Sequence, residues 1–80
     1  MEIAIVVRNR ILQLCNEQDL TINKLATVSA VSPSSIKSIL YGKSKDPKLK
    51  TVKKICDGLD ITLGQFFSTL EFDRLEQEIK

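Results

Sequence analysis

Apolar residues recur along this chain three or four positions apart, the spacing of helices and not the alternation of strands. Val7, Ile11, Leu14 and Cys15 fall at i, i+4, i+7 and i+8, which predicts a first helix over about Val6 to Glu17. Arg8, Asn9, Gln13 and Asn16 face outward from it. The lead-in Glu2–Val7 is rich in β-branched residues and leaves three readings open: an extension of that helix, a frayed end or a short strand. Leu25 and Ala26 mark the buried side of a second helix, which starts after Thr21, a good N-cap residue, and runs to about Ser29. Ile36, Ile39 and Leu40 mark the third. Ser32 caps it, and Pro33 takes the first helical position, where its missing N–H costs nothing. The third helix ends at Tyr41, and Gly42 supplies a residue that tolerates a left-handed conformation. Lys43 to Pro47 forms a short polar loop. A fourth helix follows over about Lys48 to Gly58, with Leu49, Val52, Ile55, Cys56 and Leu59 as its stripe and Gly58 at its end. Thr62 and Gln65 have the spacing of a capping box and open a fifth helix, with Leu63, Phe66, Phe67 and Leu70 turned to the core. A last segment, Glu71 to Ile79, places Phe72, Leu75 and Ile79 at i, i+3 and i+7. It is amphipathic but short, so it needs something to pack on. With no internal repeat and no linker, the pattern predicts one all-α bundle.

The second and third helices, Thr21 to Tyr41, are separated by only Ala30-Val31-Ser32. Two helices joined so tightly pack at a steep angle and leave one face of the second free. That is the geometry of a helix-turn-helix, whose second helix can enter the DNA major groove.

Charge sharpens this reading. The net charge of +2 hides a division. From Thr21 to Cys56 eight lysines face one acid, Asp46, for a balance of +7. From Asp57 to Lys80 six acids face Arg74 and Lys80, for −4, and the first twenty residues carry −1. The basic centre is attracted to phosphate backbones by Coulomb forces and counterion release. Other chemistry is thin. The 80 residues contain no histidine, which removes most nucleophile–base schemes and most metal sites, and Gly42, Gly58 and Gly64 are isolated and form no phosphate cradle. Cys15 and Cys56 both lie on apolar stripes and read as reduced core thiols; no metal and no cofactor is expected. The longest apolar run, Ile3 to Val7, is far short of the roughly 20 residues that span a bilayer, and no signal-peptide cleavage site follows it. The expectation is a soluble, cytoplasmic chain with no membrane partner.

Leu25-Ala26, Val31-Ser32, Ile36, Gly42-Lys43, Pro47, Thr51-Val52, Ile55 and the closing Leu59-Asp60-Ile61-Thr62-Leu63 with Phe66-Phe67 carry a resemblance. In this order and spacing they resemble the lambda-repressor/Cro-like helix-turn-helix family, also called the XRE family, over roughly residues 7 to 67. The resemblance implies a five-helix DNA-binding domain over 1–67, with residues 68–80 as a short C-terminal extension of helical pattern. It also implies a repressor-like transcriptional regulator that works as a homodimer on a palindromic operator in double-stranded DNA. Ile22 stands where many members have a glutamine, and Ala30 where the turn is often glycine. Cys15 and Leu40 stand where some members pair an arginine with a glutamate. Apolar packing in place of a buried ion pair can be equally stable, because no charge is desolvated.

In such a domain the exposed N-terminal face of the third helix points into the groove. Pro33, Ser34, Lys37 and Ser38 are the candidates for base readout. Lys37 can reach guanine O6 or N7, and Pro33 a thymine methyl, whereas serine hydroxyls both donate and accept and discriminate poorly. Ser35 sits at the inner edge of the helix and reads as structural. Phosphate contacts are expected from Thr21 and Asn23 at the start of the second helix, and from Tyr41, Lys43, Ser44, Lys45 and Lys48 beyond the third. Lys50, Lys53 and Lys54 contribute long-range field. The short reading face predicts modest direct readout, supplemented by bridging water and DNA shape.

Phe66, Phe67, Leu70, Phe72, Leu75 and Ile79 offer more apolar surface than a small domain easily hides. They are dimerisation candidates, the alternative being a tail that packs on its own domain. Two other functions compete with DNA binding: a protein-interaction module, such as an antitoxin or phage accessory protein, and an enzyme. Asp57 with Asp60 and Glu76 with Glu78 could pass for carboxylate pairs but read as helix-end and surface charges, so no catalytic residue is expected.

Overall fold

The computed structural model describes residues 2–79; Met1 and Lys80, the outer ends of the two expected segments, lie outside it. Its elements are α1 (Ile3–Glu17), α2 (Ile22–Ser29), α3 (Pro33–Leu40), α4 (Leu49–Gly58), α5 (Leu63–Phe67) and α6 (Leu70–Asp73). All are helical, so the fold is the expected bundle with a short helix in the extension. α2 packs on α3 and α4, α1 on α3 and α6, and α4 on α5. The core is one cluster built from the expected stripes: Ile11, Leu25, Ile36, Ile55, Cys56 and Phe66 are all fully enclosed. Cys15 and Leu40 both lie buried in it.

α1 starts at Ile3, a full turn before the expected Val6, so the lead-in is helix and not strand. Val6 is 2% exposed, and it lines a small hollow with Glu71, Arg74 and Leu75 of the tail. Contact with a distant segment thus overrides the weak helix preference of the β-branched run. The tail departs from expectation in the opposite sense. Helix stops at Asp73, and Leu75 to Ile79 is not helical. Phe72 packs the tail against the core. Its ring meets Phe67 edge-on at 4.8 Å, and Phe67 meets Phe66 the same way at 4.9 Å. Beyond it the chain finds no further core, and Ile79 is exposed.

Two stripe positions also differ. Leu49 was expected to face the core and is 67% exposed. It is the first residue of α4, and side chains tilt toward the helix N-terminus, so its side chain projects past the packed region. Leu70, likewise expected to face the core, is exposed because α5 ends at Phe67 and the chain reorients before α6 begins.

The helix ends share one solution. Asp19, Ala30, Gly42 and Asp60 all adopt positive φ, between 55° and 78°. In each case the next residue donates its N–H back five positions: Leu20 to Cys15 O (2.8 Å), Val31 to Ala26 O (3.2 Å), Lys43 to Ser38 O (3.0 Å) and Ile61 to Cys56 O (3.0 Å). These are Schellman closures, which satisfy otherwise orphaned carbonyls and usually bring an apolar residue back onto the helix. Leu20, Val31 and Ile61 obey, packing in or against the core. Lys43 alone breaks the rule and is exposed.

Three long-range contacts fix the frame. The Arg10 guanidinium donates to Phe66 O (2.8 Å) and Gln65 O (2.7 Å), so α1 caps the end of α5. Gln18 Nε2 donates to Leu59 O (2.8 Å), tying the end of α1 to the end of α4. Gly58 lies opposite Ser29: a Cβ there would sit 2.8 Å from Ser29 Oγ and 3.0 Å from its Cα and N. Its function is therefore close approach of α2 and α4, while the left-handed stop of α4 falls to Asp60.

Candidate nucleic-acid interface

α3 is fixed from below and free above. Ile36, Ile39 and Leu40 anchor its inner face at 0–6% exposure. Its start is locked by Ser32, whose Oγ accepts from the Ser35 N–H (3.2 Å) and whose hydroxyl donates to Ser35 Oγ (2.9 Å). Ser35 thereby spends its hydroxyl on the cap, in keeping with a structural role. Pro33, Ser34 and Lys37 are exposed and Ser38 is half-buried.

Ser34, Lys37 and Ser38 come together with Tyr41 and Lys43 around a shallow cleft of about 260 Å³. The cleft joins three base-reading candidates to two phosphate candidates. Pro33 stands outside it, at the first position of the helix. Tyr41 is 64% exposed, and its ring finds no aromatic partner among the described residues. The position of Lys43 follows from the Schellman closure. It occupies the place where the other helix ends set an apolar residue, and a charged group there must stay in solvent. The Ser44 N–H also donates to Ser38 O (2.9 Å), so both amides after Gly42 are committed to the end of α3. Lys43 and Ser44 therefore have no free backbone N–H to offer a phosphate and can donate to one only through their side chains.

On the other flank of α3, Ser35, Ser38, Ser44, Asp46, Lys48 and Thr51 border a second hollow of about 270 Å³. Asp46, the lone acid of the basic segment, lies here beside Lys48. Lys45 is exposed and borders neither hollow. Lys53 is engaged with Asp57 in an ion pair on the exposed side of α4, away from the α3 clefts. Lys50 and Lys54 are exposed on the same helix.

At the start of α2, Thr21 Oγ1 accepts from the Lys24 N–H (3.1 Å). The amides of Ile22 and Asn23, in the first turn, have no intrahelical acceptor and carry the positive end of the helix dipole. Asn23 is exposed there, and its carbonyl accepts from the Thr27 hydroxyl (3.1 Å). Ile22 is half-buried and packs against the core, so its side chain serves the fold and offers no polar group to a partner.

Of the apolar residues offered for a dimer contact, Phe66 is fully enclosed and has no surface to give a second copy. Phe67 and Phe72 are half-buried in the aromatic cluster. Leu70 and Ile79 are exposed, and Leu75 is intermediate. Both cysteines are free and buried, and burial pushes both thiols up from their ordinary range. No group of three or more metal-ligating side chains occurs among the described residues, and no described helix is long and apolar enough to cross a membrane.

Comparison with known proteins agrees with this geometry. The HTH-type transcriptional repressor RghR of Bacillus subtilis (strain 168) is 46% identical over 48 residues, which is 60% of this chain and 36% of that protein. The chain thus spans little more than a third of the length of that curated relative. The crystal structure of prophage Lp1 protein 11 is 29% identical, superposes with a TM-score of 0.82, and covers 94% of this chain and 100% of its own. Residues 10–71 match the Cro/C1-type HTH DNA-binding domain family, a span that takes in α2, α3, the lysine loop and α5. The chain belongs to the Cro/C1-type helix-turn-helix DNA-binding domain family.

Proposed function

We propose that this protein is a repressor-like transcriptional regulator that sets α3 into the major groove of a specific double-stranded site. The observation that carries the reading is the cleft on α3, where Ser34, Lys37 and Ser38 meet Tyr41 and Lys43. Groups that can read base edges and groups that can hold a backbone phosphate lie there side by side, on a helix whose inner face is fixed in the core. Pro33, Ser34, Lys37 and Ser38 contact bases in this proposal. Tyr41, Lys43, Ser44, Lys45 and Lys48 grip phosphates on one side of the groove, and Thr21 with Asn23 at the start of α2 grip them on the other. The chain acts as a cytoplasmic homodimer on a palindromic operator, its two α3 helices one DNA turn, about 34 Å, apart. Its work is binding and occlusion, not catalysis.

The test is selection of bound duplexes from a random pool, followed by anisotropy titration of the winner against a scrambled duplex. The selected duplex is expected to bind at least about 10³-fold more tightly, with an affinity that falls steeply as salt rises. Equal affinity for both duplexes, or affinity indifferent to salt, overturns the proposal. Lys37→Ala is expected to cost about 1–3 kcal/mol on the selected site and to relax preference at one base pair per half-site.

A further inference from the structure

Asp46 stands against the charge of its surroundings. From Thr21 to Cys56 it is the one acid among eight lysines. Lys45 precedes it and Lys48 follows two residues later, yet it pairs with neither; among the described residues the ion pair is Lys53 with Asp57. The next residue fixes its place. A proline restricts the backbone of the residue before it, and Pro47 is half-buried on the hollow of about 270 Å³ that the buried Ile39 of α3 also lines. Asp46 is thereby held, exposed, on a hollow shared with Ser38, Ser44 and Lys48. Ser38 is a base-reading candidate of the proposed function, and Ser44 and Lys48 are phosphate candidates. A DNA backbone seated on Ser44 and Lys48 therefore passes the Asp46 carboxylate.

An ionised carboxylate accepts hydrogen bonds and donates none, and a backbone phosphate has no proton to give it. Side by side the two repel, and more strongly at a protein surface than in bulk water. The same carboxylate competes with phosphate for the Lys48 ammonium. Both effects act on the sugar–phosphate backbone, which every duplex presents alike. We infer that Asp46 limits the phosphate grip: it weakens binding to DNA of any sequence and leaves the choice of sequence to the exposed face of α3. The inference rests on the phosphate contacts of the proposed function and gives them a counterweight. Non-specific binding is almost wholly electrostatic, so one acid set in a segment of +7 reduces retention on DNA at large.

D46N tests it by removing the charge and keeping the size of an exposed side chain. D60N is the control. It removes the same charge from an exposed residue whose hollow, bordered by Lys53, Asp57 and Leu63, includes no residue of α3, and asparagine tolerates its left-handed backbone. Anisotropy titrations compare both variants with wild type on the selected and the scrambled duplex, after circular dichroism has shown unchanged helix content. D46N is expected to bind both duplexes at least about fivefold more tightly at about 50 mM salt, by the same factor on each, and the gain is expected to shrink at about 200 mM as screening grows. D60N is expected to stay within about twofold of wild type. An unchanged affinity in D46N overturns the inference. So does weaker binding, or a change confined to the selected duplex, because Asp46 would then be a base contact. Equal tightening by D60N also overturns it, since the effect would belong to net charge. In these cases wild type still prefers the selected duplex, and the proposed function stands. A wild type that binds neither duplex overturns both.

Discussion

Replacing Lys43 with alanine should change the salt dependence of DNA binding, and the structure sets the size of the change. Three exposed lysines, Lys43, Lys45 and Lys48, lie on the loop after α3. If each neutralises one phosphate, a dimer on a palindrome makes six such contacts, and log K should fall against log salt with a slope of about −5.4. Raising salt from 50 to 200 mM would then weaken binding by about 2,000-fold. Lys43→Ala removes one contact from each copy. The slope should drop to about −3.6 and the loss over the same range to about 150-fold. Lys53→Ala is the control: its ammonium pairs with Asp57 on the exposed side of α4, so the slope should stay within error of wild type. Anisotropy titrations at four or five salt concentrations, on one duplex, measure all three slopes. A Lys43→Ala slope equal to that of wild type would refute the placement of Lys43 on a phosphate. So would an equal fall for Lys53→Ala, because the effect would then belong to net charge and not to a contact.

Stability measurements probe the frame that holds α3. Arg10→Ala strips two charge-assisted hydrogen bonds from the carbonyls at the end of α5, and urea unfolding should show a loss of about 2–3 kcal/mol, with Arg10→Lys intermediate because an ammonium cannot span both oxygens as the planar fork does. Gly58→Ala gains about 1 kcal/mol of helix propensity but drives a methyl group into the Ser29 backbone, so a net loss of about 1–2 kcal/mol is expected, and any gain in melting temperature would contradict the close approach. Ala30→Gly should act in the opposite direction, stabilising by about 0.5–1 kcal/mol, since alanine at φ 55° is strained and glycine is not. For the thiols, burial raises the folded pKa above the unfolded one. Unfolded chains ionise first as pH climbs past about 8.5 and bind fewer protons, so stability should fall there, by at most about 1.4 kcal/mol per pH unit for each cysteine. The decline should be shallower in Cys56→Ala.

How far the sequence could be read depended on how local each signal was. Helix faces are written in spacing, so the stripes alone assign Ile11, Leu25, Ile36, Ile55 and Phe66 to the core, where all five are fully buried. The same logic failed at helix ends. Leu49 and Leu70 fit their stripes, yet the stripe continues past the point where a neighbouring helix covers it. Asp19 and Asp60 are left-handed although neither is glycine, since aspartate is one of the few other residues enriched in that region, and its identity alone does not mark such a position. Arg10 stands out in the sequence only as one positive charge among the first twenty residues. Its acceptors lie 55 and 56 residues away and are backbone carbonyls, which carry no sequence identity to look for.

The interface shows the same division between what is local and what is assembled. The exposed face of α3 could be read as soon as its buried face was known, since on a helix one determines the other. What spacing alone could not give is why Lys43 belongs with Ser34, Lys37 and Tyr41, for it lies past the helix, in a loop. The four equivalent helix ends supply the reason. Each Schellman closure turns the chain back and delivers the next residue to the side of the helix. Three of them deliver Leu20, Val31 and Ile61 to the core. The fourth follows the helix that has one face free, and it delivers a lysine to that free face. One backbone device thus seals the core three times and, with a single change of side chain, equips the edge of α3 with a cation. On this reasoning Lys43→Leu would fold well and bind DNA poorly, whereas a lysine at Ile61 would damage the fold, since the same closure there leads into the core.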